Sequence, residues 1–232
     1  MALNLVRQID DRISIRNILI SVSDKTGLDT WVPALVALER DIRIYSTGGT
    51  YEAIGRILGE DAARRHLVSV ADYTGQPEMQ GGLVKTLDFK IYLGLLSETY
   101  NADHQADLKR TRAVAIDMVV VNLYPFRQTV ARAGVTPEEA RTNIDIGGPC
   151  MVRASAKNYL RVAPVTDPAD YAAILAELQS RQGTLGLETR FTLMRKAFRH
   201  TADYDAAIAA HFAAVTFAQA RAAYAIGPAS KP

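Results

Sequence analysis

One run of four residues constrains this chain more than any other feature. VAIDMVVVNL holds Met118 to Val121 without a polar residue, bounded by Asp117 and Asn122. A strand with no polar alternation is buried on both faces, as in a parallel sheet covered by helices. Tyr124-Pro125 stops it. The segment 17–22, NILISV, has the same character and strand length. A helical pattern follows it, with Leu28, Trp31, Leu35 and Leu38 at helical spacing and Pro33 as a kink or restart. Ile42 and Ile44 mark the next strand, and 67–70, LVSV, another. Strand–helix alternation of this kind implies a parallel sheet with helices on both faces.

The remaining elements follow from punctuation. Gly48-Gly49 reads as a turn, with Thr50 as cap of a helix through Tyr51 to Leu58. Gly75, Pro77, Gly81 and Gly82 make 72–97 read as loops around a short helix. Residues 102–112 are polar with helical character. Thr136, Pro137 and Glu139 sign a helix start. MVRASAKNY reads as a helix and RVAPVT as a strand. Residues 167–181 and 188–219 read as helices, and the last dozen residues should fray.

Composition excludes several classes. With 27 Lys+Arg against 25 Asp+Glu, the net charge of +2 gives no default nucleic-acid or membrane-surface binder. The single Cys150 cannot form an internal disulfide or a multi-thiolate zinc site, which fits a reducing, cytoplasmic compartment. It reads as a small buried packing residue. The start, MALNLVRQIDDRISIRN, lacks the pattern of a signal peptide. No run approaches the roughly 18 apolar residues of a membrane span. His66, His104, His200 and His211 share no metal-ligand spacing, so no metal is expected.

Two strand-to-helix junctions can hold a phosphate. SVSDKTG offers Ser21, Ser23, Lys25 and Thr26; STGGT offers Ser46, Thr47, Gly48, Gly49 and Thr50. Helix N-termini present free N–H groups and partial positive charge, and ligands of parallel sheets bind at the carboxyl edge where both junctions lie. Neither matches the nucleotide P-loop or the dinucleotide fingerprint, so a phosphorylated metabolite fits better than ATP or NAD. GGLVKTLDFK adds Lys85 and Thr86; Asn122 and Tyr124 emerge at the same edge. In NIDIGGPCMVRASAKN, Asp145 precedes the pair Gly147-Gly148 and a helix start. Lys157 lies twelve positions later, four from Arg153 on one helix face. An Asp and a Lys in one pocket could move a proton and stabilise developing negative charge.

These segments, with LETRFTLMRKAFRHTADYDAAIA, occur in the order seen in the inosine monophosphate cyclohydrolase domain of the bifunctional purine-biosynthesis enzyme, which the chain resembles over about residues 17 to 213. The first two motifs are shared with methylglyoxal-synthase-like domains. The resemblance implies a three-layer α/β fold with a central, mostly parallel sheet, a C-terminal helical region from about residue 167, and extensions at 1–16 and 214–232. No stretch resembles the enzyme's AICAR formyltransferase domain. It implies closure of 5-formamidoimidazole-4-carboxamide ribotide to inosine monophosphate with loss of water, no cofactor, and a homodimer, with a separate AICAR formyltransferase as a candidate partner. Carried over motif by motif, Asp145 and Lys157 serve the reacting amide, and Tyr124 and Lys85 position the formyl group. Ser23, Lys25, Thr47, Gly48, Gly49, Thr50 and Thr86 hold the 5′-phosphate, with Asn122, Gly147 and Gly148 beside the substrate.

One segment departs from the family pattern GGRVKTLHPK. Leu83 stands for an arginine, Asp88-Phe89 for His-Pro, and Tyr92 for a second His. A lost charge-assisted contact is worth about 1.5–3 kcal/mol, and an acid beside a phosphate adds to the cost. Three other readings therefore stay open: a paralogue acting on a related carboxamide ribotide, a non-catalytic nucleotide-binding module, and a methylglyoxal synthase.

Overall fold

The computed structural model describes residues 5–38, 41–76 and 86–227. Five strands form the central sheet: β2 (Asn17–Val22), β3 (Arg43–Ser46), β4 (Leu67–Ser69), β5 (Met118–Asn122) and β6 (Ala163–Val165). Their order is β4-β3-β2-β5-β6, and every pairing is parallel. The central run behaves as its composition demands. Met118 is 0% exposed, and Val119, Val120 and Val121 are 1% exposed.

Alternation along each strand divides the core in two. Ile18, Ile20, Ile44, Met118 and Val120 face one side, packed against α1 (Leu28–Leu38), α2 (Gly48–His66) and α9 (Tyr171–Ser180). Leu19, Tyr45, Val119 and Val121 face the other, covered by α4 (Phe89–Leu96), α8 (Gly147–Lys157) and α10 (Leu187–Ala214). Successive side chains of a strand point to opposite faces, so two apolar layers need two helical layers. The result is the three-layer α/β architecture implied by the resemblance. Between the layers, α3 (Val70–Thr74), α5 (Ala102–Thr111), α6 (Phe126–Val130) and α7 (Pro137–Thr142) connect the strands.

Several local expectations change. Gly48-Gly49 is no turn: α2 begins at Gly48 with Thr47 as its cap, and Thr50 sits inside the first turn. The same helix kinks at Gly59, whose φ of 73° a glycine adopts without a Cβ penalty, so the predicted end at Leu58 marks the bend. Among the described residues of 72–97, the end of α3 and all of α4 are helical. A two-stranded antiparallel ribbon was not anticipated; β1 (Arg12–Ser14) pairs with β7 (Thr184–Gly186), Ile13 opposite Leu185. Near the C-terminus, α11 (Phe217–Ala222) follows α10, and the Tyr224 hydroxyl bonds Glu138 of α7, so the chain is tied down as far as Tyr224; residues 228–232 of the stretch expected to fray lie outside the described residues. Cys150 is exposed, contrary to the buried packing role read from sequence, because α8 turns that face away from the sheet.

Two buried arginines hold the connections. Arg190 on α10 is 0% exposed. Its guanidinium donates to the carbonyl oxygens of Tyr159, Leu160, Leu185, Asp10 and Asp11. Arg161 donates to Ser97 O, Ile116 O and Gly94 O, and lies 3.5 Å from the Asp117 carboxylate.

Candidate active site

The chain passes from β2 outward to β3 and β4, then returns to place β5 on the other side of β2. That reversal opens a crevice at the carboxyl ends of β2 and β5, where open parallel sheets bind ligands. A cavity of about 510 Å³ lies there. Its lining includes Ser23, Lys25, Thr47, Gly48, Gly49, Thr50, Thr86, Asn122, Tyr124, Asp145, Gly147 and Gly148. The residues singled out in five separate sequence segments thus meet in one place.

Two helix N-termini face this cavity. α2 starts at Gly48 under Thr47, whose side chain makes no capping hydrogen bond. α8 starts at Gly147 under Ile146, which has no capping side chain either. The first N–H groups of a helix lack intrahelical partners and carry partial positive charge. Lys25 adds a full charge at the α2 side. Its Nζ lies 3.4 Å from the carbonyl oxygens of Val22 and Ser23, and it forms no ion pair among the described residues.

Not every lining group is free to touch a ligand. Thr50 Oγ1 donates to Val22 O at 3.0 Å and accepts from Val22 N at 3.2 Å. Its hydroxyl therefore ties α2 to the end of β2. Asn122 does the same for the loop after β2, gripping both backbone groups of Asp24. Ser23, Lys25, Thr47 and the backbone of Gly48 and Gly49 remain as the anion-facing set. Tyr124 is 50% exposed and open to a ligand.

Among the described residues, Asp145 is the one carboxylic acid of this lining. Its Oδ1 accepts from Gly148 N at 2.8 Å, and the backbone N–H of Tyr124 also reaches the carboxylate. Burial raises its pKa above the ordinary value of 3.8, although both N–H contacts pull the other way. The site leaves no room for a side chain at 148. A Cβ there would come within 3.0 Å of both the Asp145 carboxylate and Leu123. A Cβ at Gly147 would crowd the Thr86 hydroxyl in the same way.

Lys157 is not brought to this cavity. It is exposed at the C-terminal end of α8, while Asp145 sits just before the N-terminal end. Ten residues of helix separate the ends by about 15 Å. The expectation of an Asp and a Lys in one pocket overlooked that rise. Lys85 and Leu83 lie outside the described residues. Of the other departures from the family pattern, Asp88 caps α4 by accepting from Lys90 N at 2.7 Å, and neither it, Phe89 nor Tyr92 lines the cavity. Sequence reasoning also missed Tyr204 of α10, whose hydroxyl receives the Asp145 backbone N–H at 2.8 Å.

A second cavity of about 580 Å³ adjoins the first across Asn122 and Tyr124. Two of its cations face carboxylates, Lys196 with Asp170 at 2.6 Å and Arg199 with Asp203 at 3.8 Å, and Arg127 donates to Asp203 O. The first cavity, with an unpaired lysine and open helix ends, is the better anion site. Among the described residues no cluster of three His, Cys, Asp or Glu could hold a metal, and no helix is long and apolar enough to cross a membrane.

Comparison with known proteins agrees with this geometry. The family model for MGS-like domains matches residues 27–150, and that of the AICARFT/IMPCHase bienzyme matches residues 155–228. The chain is 46% identical over 195 residues to the bifunctional purine biosynthesis protein PurH of Ruminiclostridium cellulolyticum. That match takes in 84% of this chain but 36% of PurH, so the chain spans about a third of this curated relative. The crystal structure of ForH is similar with a TM-score of 0.73 and 32% identity, over 86% of this chain and 97% of ForH. The chain belongs to the MGS-like domain family, on the branch that resembles the cyclohydrolase part of the AICARFT/IMPCHase bienzyme.

Proposed function

We propose that this chain closes 5-formamidoimidazole-4-carboxamide ribotide to inosine monophosphate with loss of water, as a purine-biosynthesis cyclohydrolase. One observation carries the reading: the partly buried Asp145 carboxylate, with its raised pKa, shares a cavity with the uncapped N-terminus of α2 and Lys25. That pairing suits a substrate with a phosphate at one end and a proton to be removed at the other.

The 5′-phosphate lies on the N–H groups of Gly48 and Gly49, with Lys25, Ser23 and Thr47 around it. The ring carboxamide then reaches Asp145. The carboxamide nitrogen attacks the formyl carbon and a C–N bond forms. One proton leaves that nitrogen and one leaves the formamide nitrogen. Both depart with the formyl oxygen as water, and a C=N bond closes the ring. An amide nitrogen is a poor nucleophile, so Asp145 as base lowers the barrier, and a raised pKa makes it a stronger one. Charge developing on the formyl oxygen faces the N-terminus of α8, with Tyr124 alongside. Both reacting groups sit on one molecule, so a fixed geometry supplies much of the remaining acceleration. The formylated substrate is the product of a formyltransferase reaction.

The altered segment around Leu83, Asp88 and Tyr92 supports a second reading, in which the carboxamide is carried on a related azole ring. Purified protein is given the formamido-imidazole ribotide and the absorbance of the purine product is followed. Turnover supports the first reading. Tight binding of inosine monophosphate without turnover overturns it, and conversion of a related azole ribotide alone supports the second. Turnover of dihydroxyacetone phosphate would place the activity with methylglyoxal synthases.

A further inference from the structure

Asp145 sits in the segment 143–146 between α7 and α8, which belongs to no helix or strand. Backbone groups in such a segment have no ladder to pair with, yet buried N–H and C=O groups need partners. One side chain from a distant element supplies two of them. The Tyr204 hydroxyl on α10 accepts from Asp145 N at 2.8 Å and donates to Asn143 O at 3.3 Å. Tyr204 is itself only 8% exposed. Its ring meets Phe126 edge-on, with centroids 6.2 Å apart. Phe126 in turn follows Pro125 and Tyr124, and Tyr124 lines the cavity just beyond the end of β5.

We propose that Tyr204 is a positioning residue for Asp145: its hydroxyl closes the 143–145 backbone so that the carboxylate stays between Gly148 N and Tyr124 N. The inference rests on the cyclohydrolase reading for what Asp145 does, but not for where Tyr204 holds it. The carboxylate is fixed from its own side by Gly148 N at 2.8 Å. That bond sets its distance to the start of α8. Tyr124 N holds the carboxylate from the β5 side, but neither contact gives a partner to the backbone N–H of Asp145 or the carbonyl of Asn143. Tyr204 supplies both, anchoring the backbone to α10, which packs along α8 and the sheet. Asp145 falls within the stretch matched by the MGS-like family model, and Tyr204 within the stretch matched by the bienzyme model. The hydroxyl is thus a direct bond between the shared sheet domain and the C-terminal helical region, at the one acid that the reaction uses.

The test is Tyr204→Phe, which keeps the ring against Phe126 and removes only the hydroxyl. Two readouts are taken on the full chain, beside wild type and an Asp145→Asn control that assigns the resonance. One is kcat and KM for the formamido ribotide, with inosine monophosphate affinity and thermal unfolding. The other is the pH titration of the Asp145 carboxyl carbon by nuclear magnetic resonance. Positioning predicts that kcat falls about tenfold to a hundredfold, the range that small misplacements of catalytic groups cost. Nucleotide affinity stays near wild type, and the unfolding temperature drops only modestly, since two backbone groups lose a partner while the ring packing is kept. The Asp145 titration midpoint falls toward the ordinary carboxylate range, as the loosened loop lets water reach it.

Unchanged kcat together with an unchanged Asp145 titration overturns the proposal. So does a loss of kcat that merely parallels lost stability or lost nucleotide affinity, since that is a packing defect. Should wild type fail to turn over the ribotide, the cyclohydrolase reading falls, and the carboxyl titration still decides the positioning. Should Tyr204→Phe not fold, Asn143→Pro, which displaces the carbonyl that accepts from Tyr204 and leaves the Tyr204 side chain in place, must lower the Asp145 midpoint; an unmoved midpoint overturns the proposal.

Discussion

The carboxamide of Asn122 forms a closed pair with the backbone of Asp24. Asp24 N donates to Oδ1 and Nδ2 donates to Asp24 O, each at 2.8 Å. Asn122 ends β5 and Asp24 lies in the loop after β2, so this pair fixes the neighbours Ser23 and Lys25 against the sheet edge. Replacing Asn122 by Leu removes both bonds at a net cost of about 1–2 kcal/mol. Replacing it by Asp keeps the acceptor but sets a carboxylate oxygen against the Asp24 carbonyl. We expect both variants to bind inosine monophosphate about tenfold more weakly, or 1.4 kcal/mol, by calorimetric titration. Wild-type affinity in both would mean that the clamp does not organise the phosphate end.

Asp145 gives a pH signature with a definite sign. Burial raises its folded pKa above 3.8, so the folded state prefers the neutral acid. Its contribution to stability is fully present below the unfolded pKa and is lost as pH rises through the folded pKa. At pH 7 the ionised carboxylate therefore opposes folding. Asp145→Asn should unfold at a higher temperature than wild type near pH 7, and the advantage should fade as pH falls below about 4. Catalysis runs the other way. Wild-type kcat should climb with pH through the Asp145 pKa, while Asp145→Asn should lose about 10²–10⁴-fold with no such limb. Thermal scans and kcat profiles over one pH series read both effects, and a variant no more stable than wild type at pH 7 would contradict the burial argument.

Lys157 separates motif from geometry. It shares a segment with Asp145 but stands exposed at the opposite end of α8. Lys157→Ala should leave kcat within a small factor of wild type, far from the loss expected for Asp145→Asn. A comparable loss in both, measured side by side, would show that Lys157 reaches the reaction by a route this geometry does not contain.

The strands at the cavity were legible because each carries an unbroken apolar stretch, Ile18–Ile20 and Met118–Val121. NILISV and Met118–Val121 have no second interpretation as half-exposed strands, and both pair in register, Ile18 opposite Met118. The junctions SVSDKTG and STGGT were legible because glycines and hydroxyls crowd where strands end. What escaped reading depends on partners far away in sequence. Arg12 faces Gly186 across β1 and β7, and three-residue strands carry no periodicity of their own. Thr50 looks like a cap, yet its hydroxyl is drawn to Val22 at the end of β2, because the first turn of α2 buries it to 5% exposure. Asn122 looks like a substrate ligand for the same reason: its position at the sheet edge is visible, its engagement with Asp24 is not. Tyr204 sits in a recognisable segment, HTADYD, but nothing local tells that its hydroxyl reaches the Asp145 loop.

Arg190 was the least visible of all, since an arginine in LETRFTLMRK reads as a surface charge. It is instead fully buried and all five of its N–H groups meet carbonyl oxygens, at 2.7–3.1 Å. The five acceptors belong to three separate stretches: Asp10 and Asp11 before β1, Tyr159 and Leu160 after α8, and Leu185 in β7. A planar fork with five fixed donors can serve them together, and the three donors of a lysine cannot. Arg190→Lys and Arg190→Met should each cost about 3–5 kcal/mol, the range for breaking a buried charged network. Urea unfolding measures the loss. Hydrogen exchange locates it, with amides of β1 and β7 exchanging faster while those of β5 keep their protection relative to global stability. A Met variant as stable as wild type would show that the five carbonyls find other partners, and that α10 is held to the N-terminal ribbon by its apolar contacts alone.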